Sequence, residues 1–452
     1  MKYINQLTLV IFILAMCPVI SSAQSGTREL NYEGLKIIFK KTPKEVVTAS
    51  LFIRGGTANI TEEQQGLEAL AISLALNGGT KSINKDDFSA KADKLGTEFS
   101  SNAAKDYSTM TMTCLKDNWN ESWAMFADAI LHPAMDENEF KVIRDQMISG
   151  AKQQDADPDA YLRKLATEGL FGGTDYAKIP NGTPATLEKF SIADSKKYYE
   201  TLLGKKKCFL VIVGNIDEAD LLKNIKTSLA KLPAGAEPKK PTFNSVTEPN
   251  TVIKDRDIAT NYILGTLNAP KYFSADGPLF EFAMRILYDR YFVELRTKRS
   301  LSYAPAAMYS KGTIQQPTAN LYISTVDPKQ SLEVMTDIIN DIKKNGFTDK
   351  EVKNKKKAYI TNYYMTNEAS AFQANQLGFC EASGSWKLFD EINNKIGLVN
   401  TATLNNTFRK YMTNINWTYL GKEDKVSKDD FKQLEKGSQK LPAPTLKNTK
   451  KQ

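Results

Sequence analysis

The chain has 452 residues, more than one hydrophobic core normally organises, so two or more domains are expected. Its 60 Lys and Arg residues against 52 Asp and Glu leave a net charge of +8, which is spread along the chain rather than gathered in a basic arm. This distribution argues against a protein dedicated to binding nucleic acid.

The first 23 residues are typical of a signal peptide. An apolar run at 7–16 follows a basic start, and the small residues at 21–23 predict cleavage after position 23. A lipoprotein anchored at Cys17 is the alternative, but Met16 is larger than the residue usual before such a cysteine. No later apolar run reaches the length of a membrane span, so we expect an exported protein of the bacterial periplasm without a transmembrane segment.

Strand and helix patterns alternate through the first half of the mature chain. Runs rich in branched and aromatic residues predict strands, and apolar residues at helical spacing predict helices. The predicted elements are strands at 35–39, 46–53 and 208–217, an alternating run at 99–114, and helices at 66–76, 85–95, 119–131 and 137–153. The helix at 66–76 is interpreted as a buried one that stops at the glycine pair 78–79.

A Pro-rich segment at 232–250 interrupts this pattern and is interpreted as an interdomain linker. The elements after it follow the order of the first half. They are strands at 262–267, 319–326 and 417–424 and helices at 278–293, 332–344 and 348–365. The sequence therefore predicts two homologous α+β domains, residues 24–231 and 251–436, with a polar tail at 437–452. A flexible linker of this kind would permit hinge motion between them.

Cysteine and histidine, the residues most often used for disulfides and metals, are sparse. Cys114, Cys208 and Cys380 are widely spaced, form no Cys-x-x-Cys pair and are interpreted as small core residues. One disulfide among them would fit an exported chain, but a chain of this size does not require it. The single histidine, His132, ends a predicted helix and is interpreted as structural.

Three segments carry the most specific signal: GGTANITEEQQGLEALAISLALNGGT at 55–80, IPNGTPATLEKFSIADSKKYYE at 179–200 and LRTKRSLSY at 295–303. In this order they resemble the M16 family of metallopeptidases, the pitrilysin and mitochondrial processing peptidase group, and within it the M16B subfamily. The resemblance covers nearly the whole mature chain. It implies two homologous M16-type domains of the LuxS/MPP-like α+β class that form half of a clamshell.

Active members of the family carry His-x-x-Glu-His on the first of these segments and a further glutamate downstream. The two histidines share one helical face and bind Zn²⁺, and the glutamate between them serves as base for the zinc-bound water. On this frame the chain has Ala69 and Ser73 for the histidines, Ile72 for the glutamate, and Gly150, or Ser149 one residue earlier, for the distal ligand. With one histidine no shift of register restores the site, so the resemblance implies no metal and no cofactor in this chain.

The family motif LRxxxGLxY, by contrast, is retained. It supplies an arginine and a tyrosine to the substrate chamber, and here it gives Arg296 and Tyr303, with Ser300 in place of the glycine. Arginine can bind a peptide carbonyl or carboxylate, and a tyrosine hydroxyl can donate to an oxyanion. The alternative is that Arg296 pairs with a nearby acid such as Glu294 while Tyr303 merely packs.

The resemblance also places Asn102 and Ala103 on the strand whose exposed edge pairs with an extended substrate. Edge-strand addition recognises the peptide backbone and therefore suits unfolded peptides. The same run could equally be an ordinary element of the sheet.

Chains of this length in the family commonly work in pairs, in which one subunit holds zinc and the other supplies the arginine and tyrosine. The resemblance thus implies a non-catalytic subunit of an exported heterodimeric zinc peptidase, inactive alone, with a zinc-bearing His-x-x-Glu-His partner and extended peptide substrates. The competing interpretation is a non-enzymatic peptide-binding or scaffolding pseudopeptidase. An autonomous zinc enzyme conflicts with the single histidine.

Overall fold

The structure of the protein, a computed structural model, is described for residues 26–244 and 248–435. The predicted signal peptide at 1–23 and the polar tail at 437–452 lie outside the described residues. Within the described ranges the chain forms two β-sheets in sequence order, each packed against helices. The predicted α+β fold is confirmed.

The first half builds a six-stranded sheet. Its strands are β1 (Thr27–Tyr32), β2 (Leu35–Lys41), β3 (Val46–Arg54), β4 (Glu98–Ala103), β5 (Tyr107–Leu115) and β6 (Cys208–Gly214). The spatial order is β1-β2-β6-β3-β5-β4, in which β2 and β6 are parallel and the other neighbours antiparallel. The alternating run at 99–114 therefore forms two strands, because the chain reverses at 104–106, and β4 lies at the edge of the sheet.

Helices of the first half cover one face of this sheet. The α-helices of this half are α1 (Leu67–Asn77), α2 (Lys85–Leu95), α3 (Trp119–Leu131), α4 (Glu137–Ala156), α5 (Pro158–Phe171), α6 (Pro184–Leu187), α7 (Ile192–Leu202) and α8 (Glu218–Thr227), of which α5 lies elsewhere, on the second sheet. Local signals set their ends: the Asn84 side chain caps α2 by accepting from the Asp87 amide, and Gly96 ends it with φ 58°. The nearly all-apolar α1 is buried against β4, α4 and α7.

The second half builds a five-stranded sheet. Its strands are β7 (Thr251–Asp255), β8 (Asn261–Asn268), β9 (Ala306–Ser310), β10 (Thr318–Thr325) and β11 (Asn416–Gly421), in the spatial order β7-β11-β8-β10-β9. Its helices are α9 (Gly277–Tyr291), a π-helix (Phe292–Lys298), α10 (Pro328–Asn345), α11 (Asp349–Thr366), α12 (Ser370–Ala382), α13 (Leu388–Gly397) and α14 (Thr401–Tyr411).

The two sheets share one topology. The order β2-β6-β3-β5-β4 of the first corresponds strand for strand to β7-β11-β8-β10-β9 of the second, and in each the first pair is parallel and the rest antiparallel. The correspondence extends to the helices that follow β3 and β8. Helix α1 follows β3 and packs against β4, and α9 follows β8 and packs against β9. The repeated element order predicted from the sequence is therefore present as a repeated topology.

Each half covers the other's sheet with one helix. Helix α12 packs on β3 and β6 of the first sheet, and α5 packs on β8 and β11 of the second. The approach of α12 is close, since a side chain at Gly378 would collide with the ring of Phe52. Each of these helices covers the face of the sheet that the helices of its own half leave open, and the apolar side chains there are removed from water. Neither half therefore has a complete core alone.

Polar contacts also join the halves. The Asp106 carboxylate, in the turn between β4 and β5, accepts hydrogen bonds from the Tyr176 hydroxyl at 2.6 Å and from the Ile314 amide at 2.7 Å. The Tyr176 hydroxyl in turn accepts from the Gln315 amide at 3.1 Å. Burial raises the pKa of Asp106 despite these donors. Hinge motion about the linker would have to break both this cluster and the exchanged helices.

Candidate functional site

The helix α1 presents no zinc ligand at the positions that the family uses. Ala69 and Ile72 are buried, with 7% and 0% of their surface exposed, and Ser73 is half-buried. On the facing helix α4, Gly150 has no side chain, and a Cβ built there meets nothing within 4 Å. The side chains of Ala69 and Ile72 have no donor atom, and the neutral hydroxyl of Ser73 is not among the usual zinc ligands, so these residues do not fit a zinc ion.

No other cluster in the described ranges replaces that site. Within residues 26–244 and 248–435 no three or more His, Cys, Asp or Glu side chains are placed to hold a metal ion. The cysteines are free and buried, and burial raises the pKa of Cys114 and Cys208 to about 11 and of Cys380 to about 12. Their thiols are therefore neutral at pH 7 and poor metal ligands.

A buried carboxyl at the start of α1 was not anticipated from the sequence. Glu68 is 3% exposed and accepts hydrogen bonds from the hydroxyls of Ser108 and Tyr198, the latter at 2.5 Å, and from the Asn59 amide at 3.4 Å. These donors come from β5, from α7 and from the loop before α1. Glu68 thus fixes the N-terminal end of α1 against the sheet. An acidic residue inside an apolar helix was the signal that could have identified it.

Glu68 should make stability depend on pH. Burial raises its folded-state pKa above 4.5, so from pH 4.5 upward to that raised value the folded state retains a proton that the unfolded state loses. Its contribution to the free energy of unfolding therefore falls as pH rises through this window. Urea unfolding of the wild type and Glu68→Gln at pH 4, 5.5 and 7 should show the wild type losing stability relative to the variant. The exposed Glu98→Gln is the control for loss of a charge, and a constant difference for Glu68→Gln would contradict the prediction.

Arg296 and Tyr303 form one structural unit in the second half. Helix α9 continues without a break into the π-helix Phe292–Lys298, which carries Arg296, and the Leu301 amide donates to the Leu295 carbonyl at 2.8 Å to close the following turn. The Arg296 guanidinium carbon lies 4.1 Å from the centroid of the Tyr303 ring and 4.8 Å from that of Phe292. Arginine and tyrosine are thus held together by cation–π stacking.

This unit faces solvent. Tyr303 is 80% exposed, so it does not serve to fill the core. Glu294, the proposed alternative partner of Arg296, is bound instead by Lys298 at 2.6 Å and by Arg299. Within the described part of the chain Arg296 makes no ion pair. Its guanidinium therefore keeps N–H groups that can bind a carbonyl or carboxylate from outside the chain.

Ser300 occupies the position of the family's glycine in a conformation that suits glycine. Its φ is 53°, in the left-handed region that costs residues with a Cβ about 1 kcal/mol. We expect Ser300→Gly to raise the free energy of unfolding by about 0.5–1 kcal/mol. Ser149→Gly, inside α4, is the matched control and should lower it by a similar amount. Destabilisation by Ser300→Gly in chemical denaturation would show that the turn is not strained.

Asn102 and Ala103 lie on the edge strand β4. They pair with Thr109 and Ser108 of β5, and within the described residues no further strand pairs with β4 on its other side. Asn102 is exposed and Ala103 is buried. The backbone of this edge is accordingly free to pair with an added strand. No hydrogen bond, ion pair or ring contact of the described chain links these two residues to Arg296 or Tyr303.

His132 lies at the C-terminal end of α3, as predicted. Its backbone amide donates to the Asp128 carbonyl at 2.7 Å, and its carbonyl accepts from the Lys81 amide at 2.8 Å. The contacts of this residue are thus those of a helix terminus.

None of the helices in the described ranges combines the length and the apolar character that crossing a membrane requires.

Comparison with family models gives two adjacent matches. Residues 36–179 match the model described as Insulinase (Peptidase family M16), and residues 189–359 match the model described as Peptidase M16 inactive domain. Together the two matches run from β2 in the first sheet to α11 in the second half.

Known proteins are similar over most of the chain. The Non-peptidase homolog YmxG of Helicobacter pylori is 22% identical over 72% of this chain and 76% of its own length. The Uncharacterized zinc protease YmxG of Bacillus subtilis is 21% identical over 84% of this chain and 94% of its own.

Solved structures share the fold. A peptidase M16 inactive domain from Pseudomonas fluorescens superimposes with a TM-score of 0.79 at 17% identity, covering 88% of this chain and 98% of its own. The periplasmic protease PqqL from Escherichia coli superimposes with a TM-score of 0.75 at 14% identity, covering 94% of this chain and 52% of its own.

Proposed function

The chain belongs to the M16 peptidase family, and we propose that within this family it is the non-catalytic subunit of an exported peptidase pair. Its partner is an M16 chain that carries His-x-x-Glu-His and binds Zn²⁺. The observation that carries the proposal is the contrast between two surfaces of one molecule. The α1 positions 69, 72 and 73 have none of the usual zinc ligands, whereas Arg296 and Tyr303 are stacked on each other, with Arg296 half-buried and Tyr303 exposed.

The chemistry of Arg296 and Tyr303 suits a substrate held at the partner's site. The Arg296 guanidinium can donate two parallel hydrogen bonds to a peptide carbonyl or carboxylate and so orient the chain. The Tyr303 hydroxyl can donate to the oxygen that becomes negatively charged when the peptide carbonyl is attacked. Neither group needs a metal in its own subunit to act in this way.

The relatives support both parts of the proposal. One is named a non-peptidase homolog, which agrees with the missing zinc ligands. PqqL is named a periplasmic protease, and the superposition covers 52% of its chain. The rest of the PqqL chain is long enough to form a second unit of similar size. A peptidase assembled from two such units, here on separate chains, is consistent with both. The same periplasmic relative supports export, in agreement with the signal-peptide pattern.

The substrate is proposed to be an extended peptide. The edge strand β4, with Asn102 and Ala103, offers backbone groups to an added strand, and such pairing needs little side-chain specificity. The same edge also favours the second candidate function, a scaffold that binds peptides without taking part in cleavage. The two functions differ in what the chain adds to a partner's activity.

The test is reconstitution. The purified chain, a His-x-x-Glu-His M16 chain from the same organism, and their equimolar mixture are assayed on an unstructured peptide library by mass spectrometry. We expect cleavage in the mixture at a rate far above that of the partner alone and none by this chain alone. Equal activity of the partner with and without this chain would overturn the proposal, and peptide binding by this chain in that case would favour the scaffold.

A further inference from the structure

A cavity of about 590 Å³ lies in the first half, remote from the Arg–Tyr pair in sequence and on another domain. It opens between the end of α3, the helix α7 and residues 231–233. Its floor is apolar and includes the buried side chains of Ile130, Met135, Leu203 and Leu232. This volume falls in the range of about 300–1,000 Å³ that is typical of small-molecule sites.

One wall of the cavity is held rigidly. The Lys81 amide donates to the His132 carbonyl at 2.8 Å, and the Ala134 amide donates to the Gly79 carbonyl at 3.1 Å. Met135, next along the wall, has φ 50°, a left-handed conformation that a residue with a side chain adopts only when its surroundings impose it. The cavity is therefore preformed, and binding would not carry the free-energy cost of ordering its wall.

The rim of the cavity is basic. Lys81, Lys196 and Lys231 line it and are exposed, and within the described chain none of the three ammonium groups makes an ion pair or a hydrogen bond. Among the described residues that line the cavity, Glu200 is the only acidic one. Lysines without ion-pair partners create a positive potential over the cavity. Covering the apolar floor with apolar atoms of a ligand would remove it from water and lower the free energy.

We propose that this cavity binds an anionic amphiphile, a carboxylate with an unbranched acyl chain. The acyl chain would cover the floor of Ile130, Leu203 and Leu232, and the carboxylate would lie among the three lysines. A small inorganic anion would leave the floor exposed, and a cationic amphiphile would be repelled at the rim. The inference is independent of the proposed peptidase role.

Isothermal titration of the full mature chain with decanoate, below its micelle concentration, tests the proposal. We expect one saturable site that is weakened about 10-fold in the double variant Lys196→Gln/Lys231→Gln. The matched control is Lys223→Gln/Lys226→Gln, which removes two exposed lysines of α8 that do not line the cavity, and it should bind as the wild type does. Decyltrimethylammonium, with the same chain and the opposite charge, should not bind at this site.

A second variant tests the floor. Ala134→Phe places a ring inside the cavity and should abolish decanoate binding, provided that circular dichroism and melting temperature show a folded protein. Flotation with phosphatidylcholine vesicles that contain palmitate, compared with the same vesicles without it, shows whether the acyl carboxylate is also taken up from a membrane, and binding to either source that requires the carboxylate and the lysines supports the site. Absence of saturable decanoate and vesicle binding, or binding unchanged by the double lysine variant, would overturn the proposal.

Discussion

Tyr303→Phe should lower the kcat of the reconstituted peptidase pair by about 100-fold to 1000-fold, the usual cost of removing one donor to a developing oxyanion. The ring remains, so its stacking with Arg296 at 4.1 Å and the shape of the surface are preserved. Because Tyr303 is 80% exposed in the isolated chain, loss of its hydroxyl should leave folding unaffected. The measurement is kcat and KM of the mixture on one defined peptide.

Arg296 should behave differently in the same assay. Arg296→Lys keeps the positive charge but loses the planar fork, so we expect mainly a higher KM, with a smaller change in kcat. The matched control for Tyr303→Phe is Tyr364→Phe, because Tyr364 is also a surface tyrosine, 64% exposed, but lies on α11. Full activity of both Tyr303→Phe and Arg296→Lys in an assembled pair would refute a shared site.

The sequence predicted those elements whose signals lie within the element itself or next to it. The helix at 85–95 has its cap at Asn84 and its stop at Gly96, and both signals are local. The buried strand that begins at Cys208 is a continuous apolar run, as expected for a strand covered on both faces. In these cases the chain near each element already contains the physical cause of its conformation.

Two of the helices that the sequence did not identify depend on distant parts of the chain. Helix α5 and helix α12 each lie on the sheet of the other half, so the surface that stabilises them is more than 80 residues away in sequence. The break between β4 and β5 is similar, because the Asp106 carboxylate in that turn accepts hydrogen bonds from the Tyr176 hydroxyl and the Ile314 amide. Single-sequence patterns carry no information on such partners.

The candidate site shows the same division. The spacing of Arg296 and Tyr303 is a sequence motif and could be read directly. The stacking of the two side chains could not, because it follows from the π-helix that Phe292–Lys298 forms after α9 and from the left-handed turn at Ser300. Glu68 was hidden for another reason: its three donors come from separate elements, and no local pattern brings them together.

Glu381→Ala is expected to lower the free energy of unfolding by about 3 kcal/mol, through loss of the buried ion pairs that fasten α12 to the first sheet. Glu381 is 4% exposed and binds Arg54 at 2.6 Å and Lys36 at 2.8 Å, both on strands of the first half. Removing it leaves the Arg54 guanidinium partly buried without its counter-charge. Urea denaturation of the full chain measures the effect.

The control for this prediction is Glu391→Ala on α13. Its ion pair with Lys395, at 3.3 Å, is on the surface, so the change should be within about 0.5 kcal/mol. In the wild type we expect the two halves to unfold in one transition, because α12 completes the core of the first half. Weakening the attachment of α12 by Glu381→Ala should separate the unfolding of the two halves. A Glu381→Ala protein as stable as Glu391→Ala would show that apolar packing, such as that of Gly378 on Phe52, fixes the exchanged helix without the ion pairs.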